Sequence, residues 1–358
     1  MNFSIFGSEG SYAHAFGIIS GKQSKLFDFR VFESLINAKS VSEVIASLEG
    51  TEYDLDMREV ISAKINIKNL ENALNKNFLR NCNEIFSVLP KGDAEALSFI
   101  VFEELNLRKL ISIIRRLHSN LKETRDERHF FIPYIKAEID YDKIFSEISD
   151  ETQERVEKFI SKIYGTKYYF ALRNKIEDYK KLGNTMPLEC ELIKKFTKDA
   201  ETIAKKKGSQ GLREFLSIKI DIINLKTLLR GKLNAIPYED FLLPNGLYLK
   251  EKELRLLLKS DVENFSKILE FSPYSISVNE AILAYKRERS LLNLEISLDK
   301  LMYHIIKEKA MLTPLSIYSI LSFIAEKERE IKNLQLIFHF KECGLTAQDI
   351  RETISMLQ

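Results

Sequence analysis

Leu70-Glu71-Asn-Ala-Leu74-Asn-Lys76 returns as Leu188-Glu189-Cys-Glu-Leu192-Ile-Lys194 and again as Leu294-Glu295-Ile-Ser-Leu298-Asp-Lys300. A second string follows each of the three. Glu103-Glu-Leu-Asn106-Leu107, Asp221-Ile-Ile-Asn224-Leu225 and Glu330-Ile-Lys-Asn333-Leu334 share the pattern acid-x-x-Asn-Leu. The interval from the glutamate to the asparagine is 35 residues in the first two copies and 38 in the third. One short match is chance; two ordered strings repeated three times are one structural unit used three times. The period, about 110–118 residues, is far longer than the helix pairs of ordinary repeat arrays. Each unit is long enough to be a small domain. The expected organisation is residues 1–125, 126–236 and 237–358.

A third element precedes two of the copies: Leu48-Glu-Gly-Thr51-Glu-Tyr53 beside Leu269-Glu-Phe-Ser272-Pro-Tyr274. The middle copy carries it in weaker form around Tyr168. Apolar residues inside the copies recur at helical spacing, as in Leu315, Tyr318, Leu321, Ile324, Ile331, Leu334 and Phe338. The stretches 94–117 and 209–232 read as helices on the same ground. Thr185-Met186-Pro187 and Thr313-Pro314 read as a cap followed by an early helical proline, and Asp93 as a further cap. Gly344 is placed to end a helix. Thr346-Ala-Gln-Asp349 then reads as a capping box opening a last helix, Ala347 to Leu357. With only 13 Gly and 7 Pro in 358 residues, a fold that turns every ten residues is disfavoured. The expected class is all-α.

Composition excludes several functions. Fifty-four Lys+Arg against 52 Asp+Glu leave a net charge of +2, without the basic excess that nucleic acid requires. Cys82, Cys190 and Cys343 stand far apart and offer neither a zinc motif nor a disulfide framework. His14, His118, His129, His304 and His339 form no metal-ligand spacing. Gly7-Ser-Glu-Gly10 and Gly208-Ser-Gln-Gly211 are too sparse for a nucleotide loop. No apolar run is long enough to span a bilayer, and the start lacks a signal-peptide pattern. No cofactor, metal or small-molecule substrate is expected, and a cytosolic setting is.

The repeated polar residues read first as fold determinants. Asn106, Asn224 and Asn333 sit in apolar helical stretches, each with a carboxylate (Glu103, Asp221, Glu330) three residues earlier on the same face. The expectation is a buried amide–carboxylate network fixing helix register. Glu71, Glu189 and Glu295 are expected to cap a neighbouring helix or to pair with a base. The charged run Lys194, Lys195, Lys198, Lys205, Lys206 and Lys207 reads as a solvated face or as a contact to an acidic partner or membrane surface.

The ordered set of motifs resembles the C subunit of V/A-type rotary ATPases. The residues that carry the resemblance are Ile324 to Ile337, Gly344-Leu345 and Asp349-Ile-Arg351, with Ile220 to Arg230 in mid-chain and Ser11-Tyr12-Ala13 near the start. It spans the whole chain. Where the second copy has Arg230, the first and third have Ser112 and His339, which leaves open a role of Arg230 peculiar to the middle copy. The resemblance implies three similar helical domains in a pseudo-threefold funnel. It implies a non-catalytic central-stalk part, peripheral to the membrane, that joins shaft subunits D and F to the proteolipid rotor ring for ion transport. Whether protons or sodium ions are moved stays open, and so does the direction of the ATP reaction. The alternative from another class is a helical adaptor unrelated to rotary motors, binding partner helices in a groove.

Overall fold

The computed structural model describes residues 9–119, 144, 148, 154–234, 239–288 and 291–351. The chain is all-α; there is no strand among the described residues. The first copy holds α1 (Glu9–Gln23), α2 (Phe29–Asn37), α3 (Val41–Ser47), α4 (Asp54–Ala63), α5 (Ile67–Phe86) and α6 (Lys91–Ser119). The second holds α7 (Arg155–Lys162), α8 (Tyr169–Arg173), α9 (Ile176–Leu182), α10 (Met186–Lys206) and α11 (Gln210–Asn234). The third holds α12 (Glu251–Lys259), α13 (Phe265–Ile268), α14 (Ser275–Glu288), α15 (Leu291–Leu312) and α16 (Ile317–Glu342). A short helical start resumes at Ala347; residues 352–357 of the expected last helix lie outside the described residues, as do most of the expected junctions near 125 and 237.

Among the described residues, six long helices contact one another in an unbroken order. α5 packs on α6, α6 on α10, α10 on α11, α11 on α15, α15 on α16, and α16 returns to α5. The apolar cores do not follow the copies. One joins Ile218, Ile222, Leu225, Leu228 and Leu229 of α11 to Leu257, Phe265, Val278 and Leu298 of the third copy. It therefore joins residues on either side of the expected boundary at 236/237. The other runs through the first two copies and into α16, including Ile320, Phe323, Ile331 and Phe338. The second long helix of one copy thus buries its apolar face against the next copy. That burial is the main favourable term in assembling the body.

The helix ends follow their chemistry. Gly344 takes a left-handed φ of 72°, and the Leu345 amide donates to the Phe340 carbonyl at 3.0 Å, so the last turn of α16 is closed. The Thr346 amide donates to Asp349 Oδ2 at 3.0 Å, and the Thr346 hydroxyl accepts from the Asp349 amide at 3.3 Å, as a reciprocal box requires. α10 begins at Met186 with Pro187 in its first turn. Three cap expectations differ. Thr185 precedes α10 but its side chain makes no cap hydrogen bond; the hydroxyl donates to Glu189 at 2.6 Å instead. Asp93 lies inside the first turn of α6 rather than before it. Thr313 and Pro314 lie in the turn between α15 and α16, and Ser316 is the N-cap, accepting from the Tyr318 amide at 3.2 Å. The Thr313 hydroxyl instead donates back to the Lys309 carbonyl at 2.7 Å. Ser316→Ala should therefore cost about 1 kcal/mol in chemical denaturation, and Thr313→Ala a few tenths; equal costs would contradict this assignment.

Candidate functional site

The acid of each second string meets a tyrosine of the next copy. Tyr168 Oη donates to Glu103 Oε1 at 2.7 Å, and Tyr274 Oη donates to Asp221 Oδ2 at 2.9 Å. Tyr53 Oη donates to Glu330 Oε1 at 2.6 Å, joining the third copy to the first. All three phenols are buried, as are the three carboxylates. The tyrosines are held by matching turns. In the first, the Thr51 hydroxyl donates to the Leu48 carbonyl at 2.6 Å and accepts from the Tyr53 amide at 3.2 Å. In the third, Ser272 makes the same two contacts with Leu269 and Tyr274, at 2.8 and 3.3 Å. Tyr168 follows Gly165-Thr166-Lys167, which matches Gly50-Thr51-Glu52 before Tyr53, and the Thr166 amide donates to the Ile163 carbonyl at 3.1 Å as the Thr51 amide does to Leu48 at 3.2 Å.

Each carboxylate has further donors. Lys327, itself 3% exposed, donates to Glu330 at 2.8 Å and lies 4.2 Å from the centroid of the Tyr53 ring. The Phe27 amide donates to the other oxygen of Glu330. Lys167 pairs with Glu103. At Asp221, three backbone amides stand where the other joints use a lysine: Leu247 at 3.0 Å, Tyr248 at 2.8 Å and Leu249 at 3.1 Å. Burial pushes the Asp221 carboxyl above the ordinary aspartate range, and these donors with Tyr274 oppose it. Burial and the Glu330 charge hold the Tyr53 phenol well above its usual value, so it remains a donor.

The expected contact between acid and asparagine within one helix gives way, at Asp221 and Asn224, to a shared loop. Asn224 Nδ2 donates to the Leu243 carbonyl at 2.8 Å, and its Oδ1 accepts from the Leu243 amide at 2.7 Å. Both side chains thus bind the backbone of 243–249, which a helix-face argument does not find. Asn333 is buried and Asn106 half-buried. Gly246 is required at the loop: a Cβ there would lie 1.9 Å from Asp221 Oδ1.

The other repeated glutamates also reach across copies. Glu71 Oε1 lies 2.8 Å from Nε2 of His339 on α16. Glu189 takes two hydrogen bonds from Arg115 on α6, at 2.8 and 2.5 Å, and one from the Thr185 hydroxyl at 2.6 Å. Burial raises the Glu189 carboxyl, but Arg115, with Thr185 and half-buried Arg230 adding, brings it below its ordinary value. Arg115 lies outside the repeated strings, so the repeat alone does not reveal it. The Glu295 side chain lies outside the described residues.

A charged cluster ties the three second helices together. Arg108 of α6 bonds Glu104 on its own helix at 2.6 Å and also Glu328 of α16. Lys219 of α11 pairs with Glu104, and Lys332 with Glu328 at 2.9 Å. Burial raises Glu104, yet Lys219 and Arg108 hold its carboxyl at about 2. In the lysine run, Lys195 pairs with Asp199 at 2.6 Å, Lys194 donates to the Asp240 carbonyl and Lys207 pairs with Glu95. Lys205 and Lys206 are exposed. Among the described residues no cluster of His, Cys, Asp and Glu could hold a metal ion, and no helix is long and apolar enough to cross a membrane.

The family model described as ATP synthase (C/AC39) subunit matches residues 15–353. The A-type ATP synthase C subunit of Methanocaldococcus jannaschii is 25% identical over 352 residues, 97% of this chain and 86% of the relative. That of Pyrococcus abyssi is 25% identical over 97% of this chain and 90% of its own length. That of Haloferax volcanii is 25% identical over 95% and 96%.

Two outcomes follow from the geometry. Gly246→Ala should force the 243–249 loop off Asp221 and destabilise the protein by about 2 kcal/mol or more, read by urea denaturation; wild-type stability would contradict the loop's role. Glu104 has a lowered folded pKa, so its contribution is fully present above the ordinary glutamate pKa and is lost as pH falls toward about 2. Glu104→Gln should therefore flatten the acid limb of stability between roughly pH 4.5 and 2, measured by thermal unfolding across a pH series.

Proposed function

The chain belongs to the ATP synthase (C/AC39) subunit family, and on that footing we propose that it is the non-catalytic socket of a rotary ATPase. In this reading, residues 1–125, 126–236 and 237–358 are three similar domains about a pseudo-threefold axis, arranged as a funnel. The funnel receives shaft subunits D and F and sits on the proteolipid rotor ring, so that torque passes between them during ion transport. The supporting observation is the cyclic order of the tyrosine joints: first copy to second, second to third, and third back to first. A body closed on itself in this way resists twisting better than a string of domains, because close-packed interiors transmit strain.

Exposed residues fit the same reading. Leu55, Phe170 and Ile276 each stand two positions after the buried tyrosine and are 65%, 66% and 75% exposed. An apolar side chain left in water at the same position of three diverged copies suits a partner that spans them about one axis. Serine at all three positions removes no buried contact, so helicity and thermal midpoint should stay at wild-type values. Reconstitution with membrane ring or shaft subunits should weaken at least tenfold. Reversing Lys205, Lys206 and Lys207 to glutamate should slow the same assembly, more so at low salt. Wild-type capture of both shaft and ring subunits by the serine variant would remove this surface from the interface. Failure of the wild-type protein to capture either would overturn the socket reading.

A further inference from the structure

The turns joining the two long helices of each copy meet at one end of the body. A Cβ on Gly92, in the first turn of α6, would lie 2.9 Å from the Lys207 carbonyl oxygen. One on Gly211, in the first turn of α11, would lie 2.6 Å from Ile317 Cγ2 at the start of α16. Gly208 and Leu315 line one groove between the turns of the second and third copies. Residues far apart in the chain thus form one continuous surface.

Its chemistry differs from copy to copy. In the third copy the turn is apolar: Met311, Leu312 and Leu315 are 66%, 74% and 44% exposed. In the second it is basic, with Lys205 and Lys206 exposed in the last turn of α10. Lys91, exposed at the start of α6, extends the basic side onto the first copy. Lys207 pairs with Glu95, whose carboxylate also feels the charges of Lys91 and Lys206, so these four side chains are neighbours. Asp93 is engaged by the Tyr12 hydroxyl at 2.5 Å. Among the described residues, Lys91, Lys205 and Lys206 form no ion pair of their own. A positive excess therefore borders an apolar ledge.

The geometry points to this end as the docking surface for one amphipathic helix of a partner protein, its apolar face on Met311, Leu312 and Leu315 and its acidic face towards Lys91, Lys205 and Lys206. Charge complementarity sets the acidic face, and the exposed ledge sets the apolar one. Symmetry sets the number. Leu55, Phe170 and Ile276 recur in all three copies and suit a partner that meets the copies alike, whereas a surface apolar in one copy and basic in another suits a single helix laid across it. A membrane surface fits less well, because apolar side chains stand on one side only and could not enter a bilayer boundary across the whole end. The proposal rests on the reading of the chain as one part of a rotary assembly, and adds the place and chemistry of one contact.

A photoreactive residue replaces Leu312 in one preparation of the full chain and Lys205 in another. Each is irradiated in the assembled complex, and the attached peptides are identified by mass spectrometry. Both positions should label the same helical segment of another subunit, with acidic residues on one face and apolar residues on the other. Serine at Met311, Leu312 and Leu315 should weaken capture of that subunit at least tenfold at all salt concentrations. Lys205→Glu with Lys206→Glu should weaken it at least tenfold at low salt and less at high salt. Circular dichroism and the thermal midpoint should stay at wild-type values in both, since the side chains are exposed. Labelling of lipid, of a second copy of this chain, of this chain's own residues alone or of a segment without acidic residues would overturn the proposal. So would wild-type capture by the serine variant, with the socket reading left standing. Failure of the wild-type chain to enter a complex would overturn the socket reading, and this surface with it.

Discussion

A buried carboxylate on each second helix must be satisfied, and in each case a tyrosine from the next copy in the circle satisfies it. Leaving such a group without its partner would cost about 1–3 kcal/mol or more, so the acids at 103, 221 and 330 fix where the tyrosine turns at 168, 274 and 53 must sit. Lys167, Lys327 and the 247–249 amides complete the coordination. The order of the six long helices and the course of the cores across copies are consistent with these joints. A buried ion pair such as Lys327–Glu330 adds little net stability over apolar replacements. Its effect here is to make one register of α16 against the first copy acceptable.

The helices and their ends are legible in the sequence because they depend on local chemistry. The glycine at 344, the box at 346–349 and the apolar spacing of 317–338 act within a few residues. The copies are legible because their polar residues recur in order. The partners of those residues are not, because they are distant in the chain: Tyr53 and Glu330 lie 277 residues apart. Arg115 is hidden for a related reason, since the partners of Glu71 and Glu189 are a histidine on α16 and an arginine on α6 at different helical positions. At Asp221, backbone amides replace a side-chain partner, and no residue type marks that in advance. The cap of α16 falls at Ser316 and not at Thr313 because α15 runs through Leu312.

The same asymmetry bears on function. Glu103, Asp221 and Glu330, with Glu71, Glu189 and Asn224, lie between the copies and hold the body together, whereas residues available to a partner are the ones left exposed. Leu55, Phe170 and Ile276 belong to that second group, and so do Lys205 and Lys206. The proposed socket role requires this division between internal joints and outward contacts.

Site-resolved hydrogen exchange on Tyr53→Phe tests the closed circle most directly, since the substitution removes one hydroxyl and little volume. If the circle is cooperative, amides of α4 and of α16 around Glu330 should lose protection together, while the turn at Tyr168 keeps wild-type rates under native conditions. Faster exchange confined to the Tyr53 turn, with α16 unchanged, would contradict the claim that this joint closes the body.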